Sequence, residues 1–378
     1  MKIGIDGRAA CWYRGTGIGT YTYQLINSLN EIDKDSDYLL FMPENTSFDI
    51  PLNANFRLKN IGEKKQDNFW DEINIPNILK DGEIELYHVP QNGVGLPKDK
   101  KCPFVITLHD VIPFKMPETV SDNYLRIFHK ELPLLLPLCD GVITVSEYSK
   151  QDISEAFNYP KEKIHVTYLA SEPIYCVINK SFAKRIIKKY YNLEGDYILY
   201  IGGFSPRKNI LGLIEAFSKL LQSSSEKDLK LVIAGKKGKS YELYKKRAEE
   251  LHVENDVVFP GFIPLEHLPY LYNSAKLFVY PSFYEGFGLP PLEAMACGVP
   301  VVASNVTSIP EIFGNSALLV NPRDVEELYQ ALYRGLTDEV KRQELIIEGL
   351  NKSNSLSWEK TARETLSIYK VITHVAST

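Results

Sequence analysis

Two glutamates, Glu285 and Glu293, flank a glycine and proline run in Pro281-Ser282-Phe283-Tyr284-Glu285-Gly286-Phe287-Gly288-Leu289-Pro290-Pro291-Leu292-Glu293. The run follows an apolar strand, Leu277 to Tyr280, and open α/β sheets bind ligands at the carboxyl ends of their strands. Gly286 and Gly288 let the backbone come close to a ligand, while Pro290 or Pro291 suits the first helical position, where its missing N–H costs nothing. The free N–H groups of the new helix favour an anion, and Glu285 in the loop and Glu293 in the first turn add acceptors for hydroxyls. Phosphate together with a polyol is the chemistry of a sugar nucleotide. Taken singly, Glu293 also reads as a complement to the helix dipole and Glu285 as a solvated loop acid.

Three further segments carry polar chemistry. Gly203-Phe204-Ser205-Pro206-Arg207-Lys208-Asn209 places two cations beside a helix start, which makes either a diphosphate site or an exposed basic turn. Gly15-Thr16-Gly17-Ile18-Gly19-Thr20-Tyr21 precedes an amphipathic stretch, Tyr21 to Leu29. A dinucleotide fingerprint follows its strand at once, whereas eight residues, Gly7 to Arg14, separate Asp6 from Gly15, which counts against NAD. His109-Asp110 ends a strand and by itself reads as a core histidine followed by a helix-capping aspartate; Ser146-Glu147-Tyr148-Ser149 reads as another cap. No acidic cluster suited to a hard cation accompanies the basic segment at Arg207-Lys208, so no metal is expected. The five cysteines are scattered without a C-x-x-C pair, as expected of buried thiols.

The elements that must position these residues form two series. Lys2 to Asp6, Tyr38 to Met42, Ile84 to Val89, Phe104 to Leu108 and Gly141 to Val145 read as strands separated by helix-length segments, the pattern of a parallel α/β sheet. The pattern restarts with Tyr197 to Ile201, Leu231 to Ala234, Val257 to Phe259, Leu277 to Tyr280, Val301 to Ala303 and Ala317 to Val320. Two doubly wound domains follow, consistent with 378 residues, and Pro173 within Ser171-Glu172-Pro173-Ile174-Tyr175 marks a linker between them. Ser223-Ser224-Ser225 reads as a surface loop.

With 44% hydrophobic and 24% charged residues the chain is of globular type, and a net charge of −5 makes nucleic acid an unfavourable partner. No run of eighteen apolar residues occurs, and the acid at Asp6 interrupts what a signal peptide would need, so a cytoplasmic protein is expected. Lys184, Arg185, Lys188 and Lys189 share a helical spacing, either a solvated face or a patch for a membrane surface.

The segment from Glu285 to Val302 resembles the E-x7-E motif of the retaining glycosyltransferases of family 4, with Glu285 and Glu293 in the acidic positions. The resemblance extends to the lysine at Lys208, to the Gly-Ile-Gly loop, to His109-Asp110-Val111-Ile112-Pro113 and to Ser308-Ile309-Pro310-Glu311. Two positions depart from the family: Thr20 replaces a common arginine, and many members place the donor-site arginine where this chain has Gly203 and Phe204. The implied fold is α/β of GT-B architecture, two Rossmann-like doubly wound parallel-sheet domains facing a central cleft. Residues 1–171 would form the acceptor domain, completed by a C-terminal helix 359–378 in which Trp358 and Tyr369 have a structural role, and residues 180–358 the donor domain.

The implied activity is retaining transfer of a hexose, mannose first, from GDP-mannose or a UDP-hexose to a glycan or lipid-linked acceptor in surface polysaccharide assembly. It needs neither metal nor bound cofactor, and a lipid-linked acceptor would bring a peripheral contact with the inner membrane face. By resemblance His109, Glu285, Lys208 and Arg207 are catalytic, and Gly17, Gly19, Gly203, Arg207, Lys208, Gly286, Phe287, Gly288, Leu289 and Glu293 hold the donor. The alternative is a sugar-nucleotide-binding module without turnover.

Overall fold

The computed structural model of the chain describes residues 1–44, 48–61, 84–223 and 228–377; Ser224 and Ser225 of the serine run lie outside them. The chain forms two compact units, Met1–Leu169 with Ser357–Thr378, and Ala170–Leu356.

The first unit is built on β1 (Lys2–Asp6), β2 (Asp37–Pro43), β3 (Phe56–Ile61), β4 (Leu86–Val89), β5 (Phe104–Thr107), β6 (Gly141–Thr144) and β7 (Ile164–Val166). They pair in parallel in the order β3-β2-β1-β4-β5-β6-β7, with Ile5 between Leu40 and His88. The order reverses at β1 and β4, and β4, β5 and β6 are buried along their whole length, as their unbroken apolar runs require. Phe41, Tyr87, Phe104, Ile106 and Phe128 form the centre of the core.

Two of these strands were not expected from sequence. β3 alternates Phe56, Leu58 with Arg57, Lys59 and lies at the sheet edge with Arg57, Leu58 and Asn60 exposed; charge on an edge strand blocks pairing with another chain. β7 is only three residues long and too short to show a period.

The helix Gly17–Ile32 buries Tyr21, Leu25, Ile26 and Leu29 on one face, and Thr16 caps it by accepting a hydrogen bond from the Gly19 N–H. The final helix, Trp358–Ser377, packs on that helix; Trp358 lies 6.2 Å from Tyr21 ring to ring, and the Thr361 hydroxyl donates to the Tyr168 carbonyl at 2.5 Å.

The second unit contains β8 (Tyr197–Ile201), β9 (Lys230–Ala234), β10 (Val257–Gly261), β11 (Leu277–Tyr280), β12 (Val301–Ser304) and β13 (Leu318–Val320), parallel in the order β10-β9-β8-β11-β12-β13. All six were expected, to within two residues at their ends. Here the order reverses between β8 and β11, where Leu277 pairs with Ile198. Chains leaving neighbouring strands at such a point diverge and leave a crevice at their carboxyl ends.

The cysteines depart from expectation. Cys102, Cys139 and Cys297 are buried, but Cys11 is half-buried and Cys176 is exposed, because it follows the turn at Glu172 to Tyr175 rather than lying in a packed element. Among the described residues no helix is long and apolar enough to cross a membrane.

Candidate active site

The loops that follow β8 and β11 leave the second sheet at its point of reversal. After β8 the chain makes a short 3₁₀ turn, Pro206–Lys208, and Asn209 then takes a left-handed conformation before the helix Ile210–Ser223 begins. After β11 the glycine loop leads into the helix Leu289–Ala296, whose first position is Leu289 and not the proline expected there; Pro290 and Pro291 follow it within the first turn. Gly288 caps it at φ +104°, and a Cβ there would meet Ile309 Cδ1 at 2.9 Å, so conformation and space both require glycine.

The two loops are tied together. The Phe283 N–H donates to the Arg207 carbonyl at 2.8 Å, and the Arg207 guanidinium donates to the Tyr284 carbonyl. Glu285 Oε1 then receives Lys208 Nζ at 2.6 Å and Arg207 Nη1 at 2.9 Å. Burial opposes the Glu285 charge, its residue exposure being only 7%, but the two cations outweigh burial and hold its pKa down at about 2. Lys208 also donates to the Tyr280 hydroxyl at 2.7 Å and lies 4.9 Å from the centre of that ring.

The acid is held from behind by a second loop. The Glu285 N–H donates to Thr307 Oγ1 at 3.2 Å, and the Ser308 hydroxyl donates to the Glu285 carbonyl at 2.9 Å. Thr307 has φ +57°, an uncommon and strained state for a β-branched residue, which these contacts maintain. Sequence reasoning missed Tyr280 and Thr307. Tyr280 could have been found as the last strand residue before the motif; a threonine in a turn carries no such signal.

Lys208, Arg207, Glu285, Gly286, Phe287, Gly288 and Leu289 thus come together at one end of the second sheet, and Phe287 and Leu289 are buried there. Gly203 lies exposed just after β8, where an added Cβ would meet nothing within 4 Å, and its carbonyl accepts from the Tyr200 hydroxyl at 3.0 Å. Glu293 is not in the first turn: it is the fifth residue of its helix, because that helix begins at Leu289 rather than at a proline. Its Oε2 accepts from the buried Tyr272 hydroxyl at 2.7 Å.

The remaining candidates belong to the first unit. His109 follows β5 and is buried; Asn92 Oδ1 accepts from its backbone N–H at 2.8 Å, and its ring Nε2 lies 3.0 Å from the Pro90 carbonyl. A carbonyl only accepts, so Nε2 carries the hydrogen and Nδ1 is the open acceptor. Burial lowers its pKa to about 4 although the Pro90 bond favours the charged form. Asp110 accepts from the Ile112 N–H at 3.0 Å, but the cap position of the helix Ile112–Lys115 is Val111, so Asp110 closes the turn before that helix and is not the cap expected. Ser146 Oγ does cap the helix Glu147–Phe157, through the Ser149 N–H.

Gly17 begins its helix in open space, whereas a Cβ on Gly19 would fall 1.8 Å from the Tyr13 carbonyl oxygen. Tyr21, two residues on, meets the His109 ring edge-on at 4.8 Å, so the helix that starts at Gly17 is packed against the histidine. At Thr20 a cation is still present: Arg14 Nη1 donates to the Thr20 hydroxyl at 3.3 Å.

A family model described as Glycosyltransferase Family 4 matches residues 15–170, and one described as Glycosyl transferases group 1 matches residues 183–352. The O-antigen chain mannosyltransferase B of Escherichia coli is 36% identical over 294 residues, 78% of this chain and 76% of that one. The serotype-specific mannosyltransferase WbdA of E. coli is 32% identical over 362 residues, 91% of this chain but 43% of WbdA, so the chain spans less than half of that relative's length.

Among solved structures, sucrose-phosphate synthase of Thermosynechococcus elongatus matches with a TM-score of 0.77 at 20% identity over 100% of both chains. Anabaena HepE, in complex with UDP-glucose, matches with a TM-score of 0.70 at 18% identity over 100% of this chain and 99% of that one. These likenesses show a shared GT-B fold. With a matching model over each unit and a relative 36% identical over three quarters of both chains, the chain belongs to glycosyltransferase family 4 and is a glycosyltransferase.

Proposed function

We propose that this glycosyltransferase moves mannose from GDP-mannose to a hydroxyl of a glycan or lipid-linked acceptor with retention at the anomeric carbon, a UDP-hexose being the second choice of donor. The observation that carries the reading is the convergence of Lys208 and Arg207 on one buried carboxylate, Glu285, at the ends of β8 and β11. The choice of mannose is supported by the relatives named mannosyltransferases, and the alternative donor by HepE with UDP-glucose.

In the proposed reaction the bond from C1 to the diphosphate oxygen breaks and its electron pair goes to that oxygen. Lys208, Arg207 and the Leu289 N–H, which opens a helix whose next two residues, Pro290 and Pro291, have no N–H to give, stabilise the charge that develops there. The acceptor oxygen forms the new bond to C1, and its proton passes to the departing phosphate oxygen. Glu285 would hold hydroxyls of the transferred sugar and Glu293 those of the ribose. The two cations would take the place of a divalent ion, and no cofactor enters the proposal.

For a lipid-linked acceptor the proposal adds a peripheral membrane contact at the helix Lys180–Tyr191. Lys184 and Lys188 are paired there with Asp196 and Glu194, which leaves Arg185 and Lys189, beside exposed Phe182 and Tyr190, to meet an anionic surface.

A thermal-shift screen of nucleotide sugars tests the donor, since a ligand at a hundred times its Kd adds about 2.7 kcal/mol of stability. GDP-mannose should give the largest shift, followed by slow donor hydrolysis and, with acceptor, an α-linked product by NMR. A shift without hydrolysis or transfer would favour the binding module instead.

A further inference from the structure

Four fully buried polar side chains of the first unit form an unbroken line. The Tyr369 hydroxyl, on the final helix, lies 2.6 Å from His88 Nδ1; His88 Nε2 lies 2.8 Å from Thr107 Oγ1; Thr107 Oγ1 lies 2.9 Å from the Tyr21 hydroxyl. The residues come from the final helix, β4, β5 and the helix Gly17–Ile32, and Tyr369 and His88 are 281 positions apart. Burying this many polar groups without water is costly unless each is satisfied, so the hydrogens must be arranged consistently.

One arrangement gives the Tyr369 hydrogen an acceptor. Among the described residues the Tyr369 hydroxyl has no partner but His88, so it donates to Nδ1; accepting would strand its hydrogen. Burial keeps His88 neutral, with a pKa near 3, and its single hydrogen is therefore on Nε2 and goes to Thr107. Thr107 passes its own hydrogen to the Tyr21 oxygen, and the Tyr21 hydroxyl lies toward Thr167, whose buried hydroxyl has no hydrogen-bond partner among the described residues. The Tyr21 ring, fixed at its far end in this way, stands perpendicular to the His109 ring at 4.8 Å, while the Pro90 carbonyl holds His109 Nε2.

We propose that Tyr369 is a positioning residue for His109, acting through His88, Thr107 and Tyr21 to fix the orientation in which the His109 ring presents Nδ1. The inference rests on the reading that His109 serves the transfer reaction. Without the Tyr369 hydroxyl, His88 can move its hydrogen to Nδ1 and accept from Thr107 instead, which releases the Tyr21 hydroxyl and with it the contact that holds His109. The final helix, expected from sequence to be structural only, then controls the site.

The test compares Tyr369→Phe, Thr107→Val and their double variant in the full chain with Ile372→Val, which loosens the same helix outside the hydrogen-bonded line. Tyr369→Phe should lower kcat by roughly tenfold with donor KM nearly unchanged, since a small displacement affects the transition state more than binding. Thr107→Val should do the same, and the double variant should cost no more than either alone. In ¹⁵N-histidine spectra the His109 ring resonances should shift in Tyr369→Phe and stay in place in Ile372→Val.

Additive losses, equal loss of kcat in Ile372→Val, or unchanged His109 resonances with unchanged kcat would each overturn the inference. His109→Gln separates the two levels. If it leaves kcat intact, the underlying reading falls and the inference with it; if it lowers kcat while Tyr369→Phe is silent, only the inference falls.

Discussion

Lys208 Nζ stands 2.6 Å from Glu285 Oε1 across a separation of 77 residues, so the acid occupies the cation to which the donor's diphosphate is assigned. Glu285 balances the charge of Lys208 and Arg207, and on the proposed reading it has to yield to the diphosphate when the donor binds. The pair therefore links stability to binding.

Glu285→Gln should cut turnover sharply while binding of the free nucleoside diphosphate is retained or tightened, because that ligand lacks the sugar and a competing anion is gone. The same change leaves two cations unbalanced and should cost about 3 kcal/mol of stability. Calorimetric titration and chemical denaturation of the variant check both halves; lost nucleotide binding would place the acid on the wrong part of the donor.

Lys208→Ala should raise the donor KM and lower kcat, with a charge-assisted contact worth roughly 1.5 to 3 kcal/mol. Steady-state kinetics equal to the parent chain's would move the phosphate site elsewhere.

Glu293→Gln should weaken donor and nucleoside diphosphate by a similar factor, since both carry the ribose. Its stability should change little, because the amide oxygen can still accept from the Tyr272 hydroxyl now 2.7 Å from Oε2. Titration with both ligands distinguishes this from Glu285→Gln.

Acid should destabilise the two units over different ranges. His88 and His109 have pKa values lowered to about 3 and about 4, so the unfolded chain binds more protons and stability falls as pH drops from 6.5 toward those values. Glu285, lowered to about 2, adds stability that is present above 4.5 and is lost as pH falls toward 2. Denaturation measured across pH 2 to 7 should show both steps, and Glu285→Gln should remove only the lower one.

Gly19→Ala should destabilise the first unit by about 2 kcal/mol, as overpacking does, because its Cβ would overlap the Tyr13 carbonyl at 1.8 Å. Gly17→Ala, with open space at the Cβ, should stay within about 0.5 kcal/mol. Thermal unfolding of the two variants checks the contrast.

Strands whose apolar runs are unbroken, such as Leu277 to Tyr280, and the passage from loop to helix near Pro290-Pro291 were legible in the residues alone, because a buried parallel strand and a helix N-terminus each impose a local pattern. The sequence also carried the family, through a motif contiguous in the chain. Strand β3 escaped because charges placed at a sheet edge break the pattern that a central strand keeps. The pairing of Glu285 with Lys208 and Arg207, the partner of Glu293 and the line from Tyr369 to Tyr21 were decided only by the tertiary structure. Strand order brings those groups together from 19 to 281 residues apart, and no local periodicity records which distant hydroxyl or cation will stand within hydrogen-bond reach.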